Sequence, residues 1–266
     1  RAIGMKILVC IKQVPDSTRV DIDPETMTLK RGGVDSKINP FDLFAIETAV
    51  KLKEKHNAQV CSISMGPPQT EAAIRETYML GVDEGILLSD RNFAGADVLA
   101  TAYALSQGIL STGLPDLIIC GRQTTDGDTG QVGPEIAEFL NIPHVAYVRN
   151  IVSSDEKGMV LEMDMPETIE VVRINFPFLM TVEKGIFQPR LPSFKRRLAS
   201  KDRPVRRLTL ADMPDSQPEN YGLKGSPTQV IRIFPPASPT THETWKDAPE
   251  VLADKIYSKL SELKFL

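Results

Sequence analysis

The first two-thirds of the chain alternate short, largely apolar runs with longer stretches of helical period, and this alternation limits the possible folds more than any other feature. Lys6–Ile11, Gln59–Met65, Gly85–Leu88 and Asp116–Cys120 are rich in β-branched residues and lack a consistently polar side, as expected of strands covered on both faces of a sheet. Between them, Asn39 and Pro40 form an N-cap and first-turn pair, after which Phe41, Phe44, Ala45, Ala49 and Leu52 recur at helical spacing with Glu47 four residues before Lys51. This predicts a helix over Pro40–Lys55. Thr70–Leu80, ended by Gly81, Ala96–Leu110, and Gln131–Leu140, closed by Pro143, give three more. Strand alternating with helix predicts an α/β fold with a doubly wound, mostly parallel sheet.

Two interruptions and a shift in composition modify that plan. Arg19–Arg31 reads as a hairpin inserted after the first strand, turning at Asp23-Pro24-Glu25-Thr26, and Met159–Ile174 reads as a second hairpin. Eight prolines lie in residues 1–165 and twelve in residues 166–266. The C-terminal third is therefore expected to hold few central strands or long helices before a final helix over Ala248–Leu263. It reads as an extended arm, and an arm of that length is expected to pack on a partner. The resulting division is an α/β nucleotide-binding domain over 5–188 and the arm over 189–266, with Arg1–Gly4 ahead of Met5 set aside as appended residues.

Charge and cysteine usage narrow the function classes. Across 266 residues, 31 basic and 35 acidic side chains leave a net charge of -4, which lacks the electrostatic footprint of a nucleic-acid binder. No apolar run reaches the ~18 residues of a membrane span. Cys10, Cys61 and Cys120 are dispersed within apolar runs, and His56, His144 and His242 are equally scattered. They present no metal-ligand spacing, no disulfide framework and no triad, and the expected compartment is a reducing cytoplasm.

An open parallel sheet binds ligands beyond the carboxyl ends of its strands, and four segments fall there. Cys10–Pro15 follows the first strand. Ser64-Met65-Gly66-Pro67-Pro68 combines a glycine with a nearby helix start, which suits an anion or a plain strand-to-helix turn. Gly121–Pro134 is the most informative, because Thr124, Thr125, Thr129, the glycines and a helix N-terminus offer hydroxyl and backbone donors to a phosphate. Asp126 and Asp128 would repel a phosphate and are expected to cap turns or accept ribose hydroxyls. The segment has neither a Walker A pattern nor a Gly-x-Gly-x-x-Gly fingerprint, so a nucleotide site and an ordinary polar loop both remain open. Ser89–Asp97 supplies Arg91 for a second phosphate at another helix start.

The opening Val9-Cys10-Ile11-Lys12, the set Asn39-Pro40-Phe41 with Ala45-Ile46-Glu47, Ser64–Pro67, the Gly121–Gly133 loop and Arg190-Leu191-Pro192-Ser193-Phe194-Lys195 together resemble the β subunit of an electron-transferring flavoprotein. The resemblance implies a heterodimer whose α subunit carries its own FAD. In the housekeeping branch the β subunit holds structural AMP on a loop reading Asn-Gln-Thr-Gly, whereas here the stretch is Gly130-Gln131-Val132-Gly133. Asp126–Pro134 and Asp90–Asp97 are instead similar to the electron-bifurcating branch of anaerobes. That similarity implies a full FAD on this subunit, with AMP as the alternative occupant, and NAD(H) docking over the flavin.

The implied chemistry is hydride transfer from NADH to FAD, with one electron passing to ferredoxin or flavodoxin. The other passes through the α-subunit FAD to a dehydrogenase of acyl-CoA or 2-hydroxy-acid type. No acid–base side chain is required, because the cofactor supplies the chemistry. On this resemblance Cys10, Asn39, Met65, Thr125, Asp126, Gly127, Asp128, Thr129, Gly130, Gln131, Val132 and Gly133 contact FAD, and Gly66, Arg91 and Phe93 lie around NAD. Arg190–Arg207 holds eight basic residues and one acid. It reads as a solvated basic face or, by the resemblance, as a loop in which Leu191, Pro192, Lys195, Arg196 and Arg197 dock the dehydrogenase. The competing class is a non-bifurcating carrier or a nucleotide-binding module without redox function.

Overall fold

The computed structural model describes residues 4–16, 36–231 and 243–266. The hairpin read over Arg19–Arg31 lies outside them. β1 (Lys6–Cys10) leads into β2 (Gln13–Pro15), which pairs antiparallel with β3 (Ser36–Ile38). Then follow α1 (Pro40–His56), β4 (Gln59–Met65), α2 (Glu71–Leu80), β5 (Glu84–Leu88), α3 (Val98–Thr112), β6 (Leu117–Gly121) and α4 (Val132–Leu140). The remainder is β7 (His144–Ser154), β8 (Gly158–Asp164), β9 (Ile169–Asn175), β10 (Phe178–Val182), α5 (Phe194–Ala199), β11 (Arg206–Leu208) and α6 (Pro249–Glu262).

The main sheet runs β11-β5-β4-β1-β6-β10-β7-β8-β9. It is parallel from β11 to β7 and antiparallel through the β7-β8-β9 meander. Strand periodicity divides the core in two. Ile7 and Val9 of β1 pack with Ala45, Ala49 and Ile74 on the α1–α2 side, while Leu8 and Cys10 pack with Leu105, Ile109 and Ile136 on the α3–α4 side.

The doubly wound expectation holds, and its differences in detail have local causes. α3 starts at Val98 rather than Ala96 because the Asp97 carboxylate accepts the Ala100 N–H at 3.0 Å, making Asp97 the cap. The Met159–Ile174 hairpin is β8 and β9. The C-terminal third, however, contributes a central strand. β10 lies between β6 and β7 and is wholly buried, and it fits because Phe178–Val182 falls in the proline-free interval between Pro177 and Pro189. β11 is short and begins with two arginines, so it carries no apolar signature, yet it closes the far edge against β5.

Candidate functional site

From β1 the chain winds outward through β4 and β5, then returns to the opposite side of β1 as β6. This reversal opens a crevice at the carboxyl ends of β1 and β6. Cys10 and Cys120 face one another there in register. The first turn of α1 enters the same crevice, where buried Asp42 accepts the Lys12 backbone N–H at 2.8 Å. A Cβ at Gly121 would stand 2.4 Å from Asp42 Oδ1 and 2.8 Å from the Phe41 carbonyl carbon, so β6 can end there only in glycine. Burial pushes the Asp42 carboxyl up to about 7, against the opposing pull of the Lys12 amide, Asn39, the Lys12 charge and the Gly121 amide.

The Gly121–Gly133 loop is braced from outside itself. Asn39 occupies the cap position of α1 as the sequence predicts, but its side chain makes no cap bond. Its Nδ2 donates instead to the Gln123 carbonyl at 2.8 Å, and its Oδ1 accepts the Thr125 N–H at 3.3 Å. Asn39 therefore clips α1 to the loop. The Lys12 ammonium lies 2.8 and 2.7 Å from the two carboxylate oxygens of Asp126. Partial burial works to raise that carboxyl, yet the bonds and charge of Lys12 together with Thr124 hold it below the usual range. Asp128, at φ 56°, accepts from the Gln123 side-chain amide.

Both acids of the loop thus have donors from this chain. Neither bond is the turn cap expected of these acids: Asp128 accepts from a side-chain amide, and the partner of Asp126 is a lysine from the β1 end. Gly130 adopts φ 65°, which favours glycine. Gly133 lets α4 close on the sheet, since a Cβ there would meet Thr181 Cγ2 at 2.9 Å. The Val132 and Gly133 amides begin α4 ahead of its first intrahelical bond, from the Glu135 N–H to the Gln131 carbonyl at 3.1 Å, and Pro134 has no N–H to offer; the positive end of the helix faces the crevice side of the sheet.

The remaining predicted positions divide. Cys10 is buried at the end of β1, and the neighbouring Cys10 side chain together with burial holds the Cys120 thiol above its ordinary value. Cys61 is only half-buried; burial and then Glu84 push its thiol up to about 12. Met65 ends β4 on the same edge as the crevice. The Gly66 N–H donates to the Leu88 carbonyl at 3.0 Å, so it is not the free anion donor that its segment suggested. A 3-10 turn over Pro68–Thr70 also intervenes before α2 begins.

Arg91 is exposed after β5, on a turn capped by Asp90, whose other oxygen accepts the Leu210 N–H at 3.1 Å. Phe93 is a core residue, 4% exposed, with its ring 5.4 Å from that of Tyr221. The structure gives its ring an intramolecular partner and leaves little of its surface for a ligand. Sequence reasoning did not single out Asp42, Gln123 or the Lys12–Asp126 pair. Asp42 reads as an ordinary first-turn acid, and nothing local joins positions 12 and 126.

The basic segment is not one solvated face. Arg190 grips Glu47 through Nε at 2.7 Å and Nη2 at 2.9 Å, and also holds Glu54, which fixes the segment to α1. Arg196 donates to the Leu80 carbonyl, Arg203 to the carbonyls of Val82 and Asp83, and Arg207 to Glu71. Lys195 and Arg197 are exposed beside Pro192. Leu191 is 86% exposed, and Phe194 and Leu198 project with it. No helix among the described residues is long and apolar enough to cross a membrane.

A family model for the electron transfer flavoprotein domain matches residues 26–213. The electron transfer flavoprotein subunit beta of Thermoanaerobacterium thermosaccharolyticum is 43% identical over 259 residues, covering 96% of this chain and 99% of the relative. The caffeyl-CoA reductase-Etf complex subunit CarD of Acetobacterium woodii is 41% identical over 97% of this chain and 98% of its own. Protein FixA of Sinorhizobium fredii is 40% identical over 87% and 84%.

Proposed function

The chain belongs to the electron transfer flavoprotein family as a β subunit, and on that premise we propose that it binds FAD in the β1–β6 crevice and takes electrons from NADH there. The acceptors in this reading are ferredoxin or flavodoxin and, through the FAD of the α subunit, a dehydrogenase of acyl-CoA or 2-hydroxy-acid type. A relative named as part of a caffeyl-CoA reductase-Etf complex supports a CoA-linked partner. Segment 189–231 displays Leu191 for that dehydrogenase, and the arm ending in α6 serves the α subunit.

The observation that carries the reading is the braced loop, one of whose two acids is paired with a lysine. Lys12 balances the charge of Asp126, and the Gln123 amide ties down the Asp128 carboxylate by a hydrogen bond. Thr129, Gly130 and the first amides of α4 then supply hydroxyl and N–H donors of the kind a phosphate requires. The residues present therefore fit the group. Asn39 and Lys12 hold the loop in place, Gly130 and Gly133 admit the backbone close to the phosphates, and Cys10 and Met65 line the strand ends. FAD, when bound, supplies the hydride and one-electron chemistry. Arg91, exposed two strands away, is assigned to the NADH phosphates.

The test is Gly130→Val. A β-branched residue at φ 65° is strained and crowds the loop. The variant heterodimer should keep its secondary structure and lose the β-subunit flavin. Unchanged flavin content would overturn the placement.

A further inference from the structure

Asp42 sits beneath the glycine loop without a counter-ion of its own. It lies in the first turn of α1, 5% exposed, where its carboxylate accepts the Lys12 N–H at 2.8 Å and the Gly121 N–H. One carboxyl thus ties together the ends of two neighbouring strands, β1 and β6. Asn39 also bonds it, and the same Asn39 holds the Gln123 carbonyl and the Thr125 N–H of the loop. The Lys12 ammonium, which could have balanced Asp42, is engaged by Asp126 instead, and Asp42 forms no ion pair among the described residues.

Three elements bring titratable groups towards this carboxyl. β1 and the residues after it present Cys10 and the Lys12 charge, β6 presents Cys120, and the loop presents Asp126, which Lys12 offsets. Cys10 and burial hold the Cys120 thiol above its ordinary value, so it stays uncharged through neutral pH. Asp42 changes charge there, because burial pushes its carboxyl up to about 7. A pyrophosphate on the loop brings further negative charge towards a group that water screens poorly. A unit negative charge about 10 Å from such a carboxyl moves its titration up by about one pH unit at an effective dielectric constant of about 20. Protonation does not cost the strand ends their acceptor, because both oxygens of a neutral carboxyl retain acceptor capacity.

We propose that Asp42 is a proton-linked positioning residue: it holds the floor of the crevice as a neutral carboxylic acid when the dinucleotide is bound, and binding draws a proton from solvent onto its carboxylate. The inference rests on the FAD reading above and adds to it a titration that the ligand does not supply. FAD keeps a fixed pyrophosphate charge through neutral pH, whereas the phosphate monoester of AMP gains charge near about pH 6. FAD is therefore the probe. Because the bound site holds its proton more tightly than the free site, affinity is level below about pH 7, falls as pH rises, and levels again above the bound-state value.

The experiment titrates FAD into heterodimer stripped of its β-subunit nucleotide, by calorimetry in two buffers of different ionisation enthalpy. Wild type should bind FAD about tenfold more weakly at about pH 8.5 than at about pH 6, and take up about half a proton per FAD near pH 7.5. Asp42→Asn and Asp42→Ser are neutral at every pH and should give a level profile with no uptake, whereas a merely structural role would weaken binding equally at every pH. The infrared difference spectrum of wild type on adding FAD near pH 8 should gain the C=O band of a neutral carboxylic acid, a readout that needs no variant to fold. A level wild-type profile, absence of proton uptake or absence of that band overturns the proposal. Equal pH dependence in the variants overturns it too, by placing the proton on another group. Wild-type protein that binds no FAD at any pH would instead overturn the reading on which the proposal rests.

Discussion

Asp42 is a buried carboxyl, and its consequences are measurable. Its value is about 7 in the folded chain against 3.8 for a free side chain. Between those pH values the unfolded chain releases the proton and the folded chain keeps it, so stability falls as pH rises through that window and levels off above about 7. Asp42→Asn keeps the acceptor for the Lys12 amide and removes the titration. Denaturant unfolding from pH 4 to 8 should show wild type losing on the order of 2–4 kcal/mol relative to the variant across the window, with no further divergence above it. Parallel pH profiles would show that Asp42 is not the buried acid described. Such a residue is poorly legible in sequence, because Asp in the first turn of a helix is ordinary. Asn39 shows the same limit. Its cap position follows from Asn-Pro, whereas its two bonds to the loop join residues more than eighty positions apart.

Among the elements, α1 does the most to connect distant parts of the chain. Its N-terminal end holds the loop through Asn39, and its buried Glu47 holds Arg190. Arg190→Met would strand Glu47 as an unpaired buried carboxylate, a loss of about 3–5 kcal/mol. Hydrogen exchange over residues 189–200 should rise in that variant, and unchanged protection would show that the grip does not position the segment. Leu191 lies beyond the grip with no intramolecular cover. Leu191→Ala should weaken electron delivery to the dehydrogenase, by about 2 kcal/mol if it is a central anchor, and leave reduction of the heterodimer by NADH unaltered. Slower reduction by NADH alone would make the loop structural instead.

The elements legible in sequence are those whose period is clear over a long enough stretch: α1 to α4, α6, β1, β4, β5, β6 and the β8–β9 hairpin. β7, β10 and β11 are not, for identifiable reasons. β10 sits within proline-rich sequence and β11 is three residues long. β7 passes from the central sheet into an exposed meander, so its pattern never settles to one period.

At the scale of the molecule, one parallel edge gathers the ends of β5, β4, β1, β6, β10 and β7, so residues from 10 to 183 converge on a common surface. Sequence located four of these segments, because glycine, hydroxyl and helix-start signals are local. It did not supply Arg122, Tyr147 and Glu183, whose association depends on β10 entering between β6 and β7. α6 has no buried residue, and the proposed function assigns its cover to the α subunit. The whole account depends on which nucleotide occupies the crevice. Acid extraction of the purified heterodimer, followed by chromatographic counting, measures this directly. The account predicts two FAD per heterodimer, one from each subunit, and no stoichiometric AMP; one FAD together with one AMP would contradict it.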